Sequence, residues 1–288
     1  MLDEAREGRP AALAGWPRLH AVLAAQGLFG HRPWLSAPGP GLGPDPDLGS
    51  GGPAGLCGVC RGPAAPGRRL CFQCTLHREC AGPGLAALVV PVAFAIKGSP
   101  FAAYLWQYKS ARPPPAVRDR AGVLLSALLL LFLREHGRCL WRAAGTGAPT
   151  ALAVVPTGRG RAGPHPLRGL VQDYLDLPWA ELEAGPGRDR ERDLDPARYV
   201  AAVRPGARVL LLDDTWTTGA SAQSAAMALH QAGALAVVTV VLGRHVSPAA
   251  AQSAGLTPAV RPYRPGWCAV HTPPGPAPLS RADLRLDP

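Results

Sequence analysis

Val209-Leu210-Leu211-Leu212-Asp213-Asp214-Thr215-Trp216-Thr217-Thr218-Gly219-Ala220-Ser221 is the stretch that decides the fold. Its apolar start, Arg208 to Leu212, reads as a buried strand. Two adjacent carboxylates follow, and then a run rich in hydroxyls that ends in Gly219. Ala220 to His230 reads as a helix. Ala222, Ala225, Ala226 and Leu229 lie on one face, and Gly233 is the stop. Leu235 to Leu242 is a second continuous apolar run. Strand, helix and strand with short links predict an α/β fold with a parallel sheet flanked by helices.

The chemistry of the segment follows from its place. Ligands of open α/β sheets bind at the carboxyl ends of the strands. A loop that runs into a helix N-terminus offers N–H groups and the positive end of a dipole to an anion. Gly219 lets the backbone approach that anion closely, and Thr217, Thr218 and Ser221 add hydroxyls. Asp213 and Asp214 would repel a phosphate unless they hold sugar hydroxyls or a metal ion, and Mg²⁺ takes oxygen ligands. The string as a whole therefore predicts a phosphorylated ribose with Mg²⁺. The competing structural reading has solvated acids at a strand end and a helix capped by Thr217 or Thr218. It accounts for one residue, not the string.

Upstream, Leu88 to Ile96 is β-prone with Pro91 inside it, which predicts an edge strand or a strand start. Phe101 to Tyr108 reads as a short helix broken by Arg112 to Pro115. Val117 to Glu135 reads as a long buried helix, and Ala151 to Val155 as a strand ending at Pro156. Leu167 to Leu177 is a further helix candidate, and Ala184 to Arg192 reads as a mobile loop. The loop Thr157 to Arg161, TGRGR, offers backbone N–H groups with Arg159 or Arg161 to a pyrophosphate. A solvated basic loop is the other reading of these arginines.

Val209 to Ser221 is similar, over all thirteen positions, to the phosphoribosyl pyrophosphate motif of type I phosphoribosyltransferases. The chain from Cys57 to about Leu242 further resembles the ComF-like family, amidophosphoribosyltransferase-like or competence proteins. The resemblance implies a type I phosphoribosyltransferase-like sheet with a small N-terminal zinc-ribbon-like module. It implies that Asp213 and Asp214 hold the ribose hydroxyls, and Mg²⁺ through the substrate. It implies that Thr215, Trp216, Thr217, Thr218, Gly219, Ala220 and Ser221 cradle the 5′-phosphate. Val155-Pro156 stands where the family has Val-Pro, so that Pro156, Thr157, Gly158 and Arg159 form the pyrophosphate loop. Arg168, Gly169 and Gln172 match the family's Arg-Gly-Phe-Asn-Gln, while its Phe and Asn are missing. Lys109, in Gln107-Tyr108-Lys109, resembles the family's Tyr-Lys segment. Asp213, Asp214, Arg159 and Lys109 are thus the implied catalytic residues. The implied reaction transfers phosphoribosyl from phosphoribosyl pyrophosphate to a nitrogen nucleophile. The alternative is a non-catalytic module that binds such a ligand or single-stranded DNA, and a homodimer is a further expectation.

Cys57-x₂-Cys60 and Cys71-x₂-Cys74 are separated by ten residues. Two such knuckles place four thiolates for a structural tetrahedral Zn²⁺. His77 and Cys80 stand just beyond as alternative ligands, and a redox pair is the weaker reading. Cys139 and Cys268 read as buried thiols.

The whole chain sets the bounds. Its 288 residues suffice for one α/β core and a small module. We expect a helix and a Gly/Pro-rich linker over 1–56, the cysteine module over 57–84, the phosphoribosyltransferase-like domain over 85–261 and a Pro-rich tail over 262–288. The net charge of +10 comes almost wholly from arginine, with Lys97 and Lys109 the only lysines. It favours anionic partners, but no basic run with interleaved aromatics marks a nucleic-acid face. MLDEAREGRP does not read as a secretory leader, and Val123 to Leu133 is shorter than the roughly 20 residues a bilayer takes. These features predict a cytoplasmic protein without membrane contact.

Overall fold

The computed structural model describes residues 55–157, 165–186 and 192–256, together with Val270 and the backbone of two outlying strands. In chain order its elements are β1 (Arg32–Ser36), α1 (Phe72–Ala81), β2 (Leu88–Ile96), α2 (Pro100–Gln107) and α3 (Pro115–Ala143). Then follow β3 (Ala151–Val154), α4 (Pro166–Val171), β4 (Glu181–Ala184), β5 (Tyr199–Ala202), β6 (Arg208–Trp216), α5 (Ala220–Gln231), β7 (Ala236–Val246), α6 (Pro248–Ser253) and β8 (Thr257–Arg261).

Four strands form a parallel sheet in the order β2-β7-β6-β3. β6 and β7, the two continuous apolar runs, are its centre, as strands buried on both faces should be. β2 is an edge, which suits Pro91 because it lacks an N–H for a second neighbour. At the other edge Trp179 forms a single bridge to Leu152.

Side chains along β6 alternate between two cores. Leu210 and Leu212 join the one built with α3 and α4. Val209 and Leu211 join the one built with α5 and the cysteine module. The module is therefore a layer on the sheet's second face, sharing its core.

Local signals explain the element ends. The Ser99 hydroxyl accepts from the Ala102 N–H at the start of α2. Pro115 opens α3 at a position where no N–H is needed. Gly233, at φ 101°, ends α5, and the Ala234 N–H returns to the Leu229 carbonyl.

Several boundaries differ from expectation. β6 does not stop at Leu212; Asp213, Thr215 and Trp216 stay in register with Val241, Gly243 and Arg244. α3 runs on to Ala143. The helix expected over Leu167 to Leu177 ends at Val171, where Tyr174 and Leu175 both turn back onto the Val171 carbonyl. Ala184 does not begin a loop but closes β4, which pairs antiparallel with β5. Within the span expected to hold a helix and a linker, residues 1–56, Arg32–Ser36 is a strand paired antiparallel with β8. The expected helix itself lies outside the described residues, as do nearly all of the expected linker and tail. No helix among the described residues is long and apolar enough to cross a membrane.

Candidate functional site

The carboxyl ends of the parallel strands β2, β3, β6 and β7 share one edge of the sheet, and Asp213 and Asp214 lie buried toward that end of β6. Because neighbouring residues of a strand point to opposite faces, the two acids enter different surroundings.

Asp214 faces the α2–α3 side. Its Oδ2 accepts from the Tyr108 hydroxyl and, at 2.9 Å, from Lys109 Nζ. His165 Nε2 lies 3.7 Å away. His165 Nδ1 accepts from the Leu167 N–H at 2.9 Å, which places a ring hydrogen on Nε2, facing the acid. Burial alone would raise Asp214. Lys109, His165 and the Tyr108 hydrogen bond outweigh it and hold the carboxyl below its ordinary range.

Asp213 faces the α5–β5 side. Burial, and then the charge of Asp214, push it up to about 7. A buried carboxyl so reluctant to ionise calls for hydroxyl donors or a cation, and both a ribose diol and Mg²⁺ fit that requirement.

Thr215 to Ser221 lead as a tight turn into α5. Gly219 sits at φ 85°, and any Cβ there would overlap the Trp216 indole. The position therefore requires glycine twice over. The Thr218 hydroxyl accepts from the Ala220 N–H at 3.3 Å. The Trp216 side chain is buried beneath the turn, so its indole forms a floor and is not offered to a ligand. Ser221 Oγ accepts from Arg198 Nη1 at 3.1 Å.

The expected pyrophosphate loop is only partly described, and two residues of the family motif lie apart from the acids. Pro156 and Thr157 follow β3 directly, while Gly158, Arg159 and Arg161 lie outside the described residues. Arg168 is committed elsewhere: its guanidinium bonds Glu181 at 2.9 and 3.2 Å and covers the Trp179 ring at 4.2 Å. Gln172 is exposed.

Four residues enter that sequence reasoning gave no role. Tyr108 and His165 both address Asp214. Arg198, buried, anchors Ser221. Arg244, buried, donates to the carbonyls of Trp216 and Thr217 at 3.1 and 3.0 Å. Tyr108 could have been found as the neighbour of Lys109. The arginines carry no local signal.

The sulfurs of Cys57, Cys60, Cys71 and Cys74 lie within 4.8 Å of one another. Cys60 and Cys71 are 3.8 Å apart. Tetrahedral Zn²⁺ with Zn–S bonds of about 2.3 Å has sulfurs about 3.8 Å apart, so the four fit that ion. Arg61, at φ 56°, makes the knuckle's sharp turn, and the Cys57 N–H bonds the Gly62 carbonyl. His77 and Cys80 stand outside the group. Hydrogen bonds from neighbouring thiols, Cys57 first, and the charge of Arg244 hold Cys60 well below an ordinary thiol. Shared hydrogen bonds with Cys57 and Cys60 push Cys74 up. Four cysteine sulfurs so close together could share one metal ion. Cys139 is partly buried; Cys268 lies outside the described residues.

Comparison of the chain with protein-family models, with curated proteins and with solved structures returns no match.

Proposed function

We propose that this site binds phosphoribosyl pyrophosphate and transfers its phosphoribosyl group to a nitrogen nucleophile, as in the type I phosphoribosyltransferases of the ComF-like kind. One observation carries this reading. A buried acid pair and a glycine-led helix start, suited to a sugar diol and a phosphate respectively, sit on one continuous segment at the carboxyl edge of a parallel sheet.

Asp213 and Asp214 accept from the ribose hydroxyls, while the N–H groups and hydroxyls of Thr215 to Ser221 receive the 5′-phosphate. Lys109 and His165 keep Asp214 ionised. Bound Mg²⁺ supplies charge neutralisation to the pyrophosphate. In the transfer, the anomeric C–O bond breaks with its electron pair going to pyrophosphate. The new C–N bond forms, and the nitrogen gives up its proton to solvent. The chain's contribution is positioning and electrostatic. Pro156 and Thr157 set the start of the pyrophosphate loop.

A pocket of about 740 Å³ opens beside Lys109, between α3 and α4. Asp119, Ser126, Asp173 and Tyr174 line it, with Gly122 and Gly169 leaving room. We assign the nitrogen acceptor to this space, since it adjoins the Lys109–Asp214 pair.

Calorimetry with phosphoribosyl pyrophosphate, with and without Mg²⁺, tests binding; no heat in either condition overturns the reading. Exchange of labelled pyrophosphate into the substrate tests turnover. Exchange that disappears in Asp213→Asn/Asp214→Asn supports an enzyme. Binding without exchange leaves a ligand-holding module. Steeply salt-dependent binding of single-stranded DNA without any response to phosphoribosyl pyrophosphate sinks both.

A further inference from the structure

Arg244 lies at the end of β7, opposite Trp216 in the sheet register. The residue is buried, 8% exposed, and its guanidinium is wedged between two structures. On one side Nη1 donates to the carbonyls of Trp216, Thr217 and His245. On the other it lies flat on the backbone just after the first cysteine knuckle. A Cβ at Gly62 would stand 2.5 Å from Nη2, 2.7 Å from Nε and 2.8 Å from Cζ. The negative end of the Cys60 side chain favours the charged guanidinium, although burial opposes it.

We infer that Arg244 is a positioning residue that ties the four-cysteine site to the phosphate-binding turn, so that Zn²⁺ at the cysteines and a sugar phosphate at the turn each favour binding of the other. The inference rests on the proposed ribose-phosphate reading of the turn.

Peptide geometry gives the device its direction. In a planar trans peptide the C=O and the following N–H point opposite ways. The Trp216 carbonyl shares a plane with the Thr217 N–H, and the Thr217 carbonyl with the Thr218 N–H. By holding both carbonyls, Arg244 fixes the peptide planes that carry the N–H groups of Thr217 and Thr218.

Charge gives the device its strength. A buried guanidinium is costly unless anionic groups face it. Zn²⁺ held by four thiolates keeps a net negative charge beside Arg244. Arg244 is therefore gripped at its cysteine end when the ion is present, and its other end holds the turn. Coupling of this kind is reciprocal by thermodynamic necessity.

The experiment follows transfer of Zn²⁺ from the full chain to a chromogenic chelator, with and without ribose 5-phosphate, beside the Kd for ribose 5-phosphate. We expect ribose 5-phosphate to slow zinc transfer roughly fivefold or more. Arg244→Met removes the tie, and Gly62→Ala displaces the guanidinium while leaving every cysteine and the turn's own residues in place. In both variants the slowing should vanish and the Kd rise by about the same factor, with one Zn²⁺ still bound per chain. A second readout needs no ligand. Amide exchange over residues 216–221 should quicken about tenfold in both variants. Unchanged protection and unchanged exchange in folded, zinc-loaded Gly62→Ala and Arg244→Met overturn the inference. If exchange quickens but ribose 5-phosphate and phosphoribosyl pyrophosphate fail to bind the wild-type chain, the tie stands and the ribose-phosphate reading falls.

Discussion

The parallel sheet is covered on its two faces by different means. On one face α3 contributes Leu125, Leu129, Phe132, Leu133 and Leu140, all buried against β6, β7 and β2. On the other, α5 contributes alanines, Ala222, Ala225, Ala226 and Ala228. Alanine lets α5 lie close to the sheet but buries little apolar area. The cysteine module, with Cys57, Cys60 and Cys74 buried, completes that second core. One face is thus held by side-chain volume and the other in good part by a candidate metal site, as in domains too small for a core of their own. The functional segment stands where the two regimes meet. Asp214 belongs to the first face and Asp213 to the second.

Removing the ion should produce the largest effect. Chelation is expected to lower the thermal midpoint by more than about 10 °C, because metal binding supplies folding free energy directly. Trp216, buried in the second core, should report it by a red shift in fluorescence. A chelated chain that melts with the loaded one would show that the second face stands without metal.

Next in size is Leu129→Ala, a truncation in the first core. It should cost about 3 kcal/mol in urea titrations. If the faces are independent, this cost and that of chelation add within about 0.5 kcal/mol. A large coupling would mean that the sheet transmits strain between them, and the two-regime picture would need revision.

The third prediction separates the acids. The folded-state value of Asp213 is raised to about 7, first by burial and then by Asp214. Between about pH 4 and 7 the native state therefore binds a proton that the unfolded chain has released, and stability falls as pH rises through that window. Asp213→Asn lacks this loss. Relative to wild type, the variant should be more stable at pH 8 than at pH 5, by on the order of 2 kcal/mol. It should also lose ribose 5-phosphate binding, so the stabilised protein is the inactive one.

The second face was harder to read from sequence, for the same physical reasons. The apolar runs of β6 and β7 and the alanine stripe of α5 are local periodicities, and they announced the sheet. The spacing of Cys57, Cys60, Cys71 and Cys74 announced the cluster. The polar half of β6 was hidden, because Asp213 to Trp216 look like a loop until β7 is there to pair with them. β4 and β5 were hidden too, since Glu181–Ala184 alternates over only four residues, Tyr199–Ala202 does not alternate, and both exist through their mutual pairing. Arg198 and Arg244 act through residues 23 and 27 positions away, at Ser221 and Thr217. No window of sequence contains both ends of such a contact. Arg168 was visible as a match to a family motif, but its partners Glu181 and Trp179 were not.

The smallest effect is the sharpest test of the comparison. Tyr108 donates to Asp214 on the first face. Tyr108→Phe removes one hydrogen bond to a charged acceptor and should cost about 1.5 kcal/mol at pH 7. Asp214 has a depressed folded value, so this stability is present above its unfolded value, near 3.9, and is lost as pH falls through the lower folded one. The difference between variant and wild type should therefore shrink as pH falls below about 4. Carbon NMR of the two carboxyls decides what the loss means. The Asp214 titration should move upward in Tyr108→Phe, while Lys109 still keeps the group ionised at neutral pH. Asp213 should then titrate near 7 as before, because the charge it feels from Asp214 is the same in both proteins across that range. Should Asp213 move with Asp214, the acids share a proton across the strand, and the two faces meet in a single titrating site.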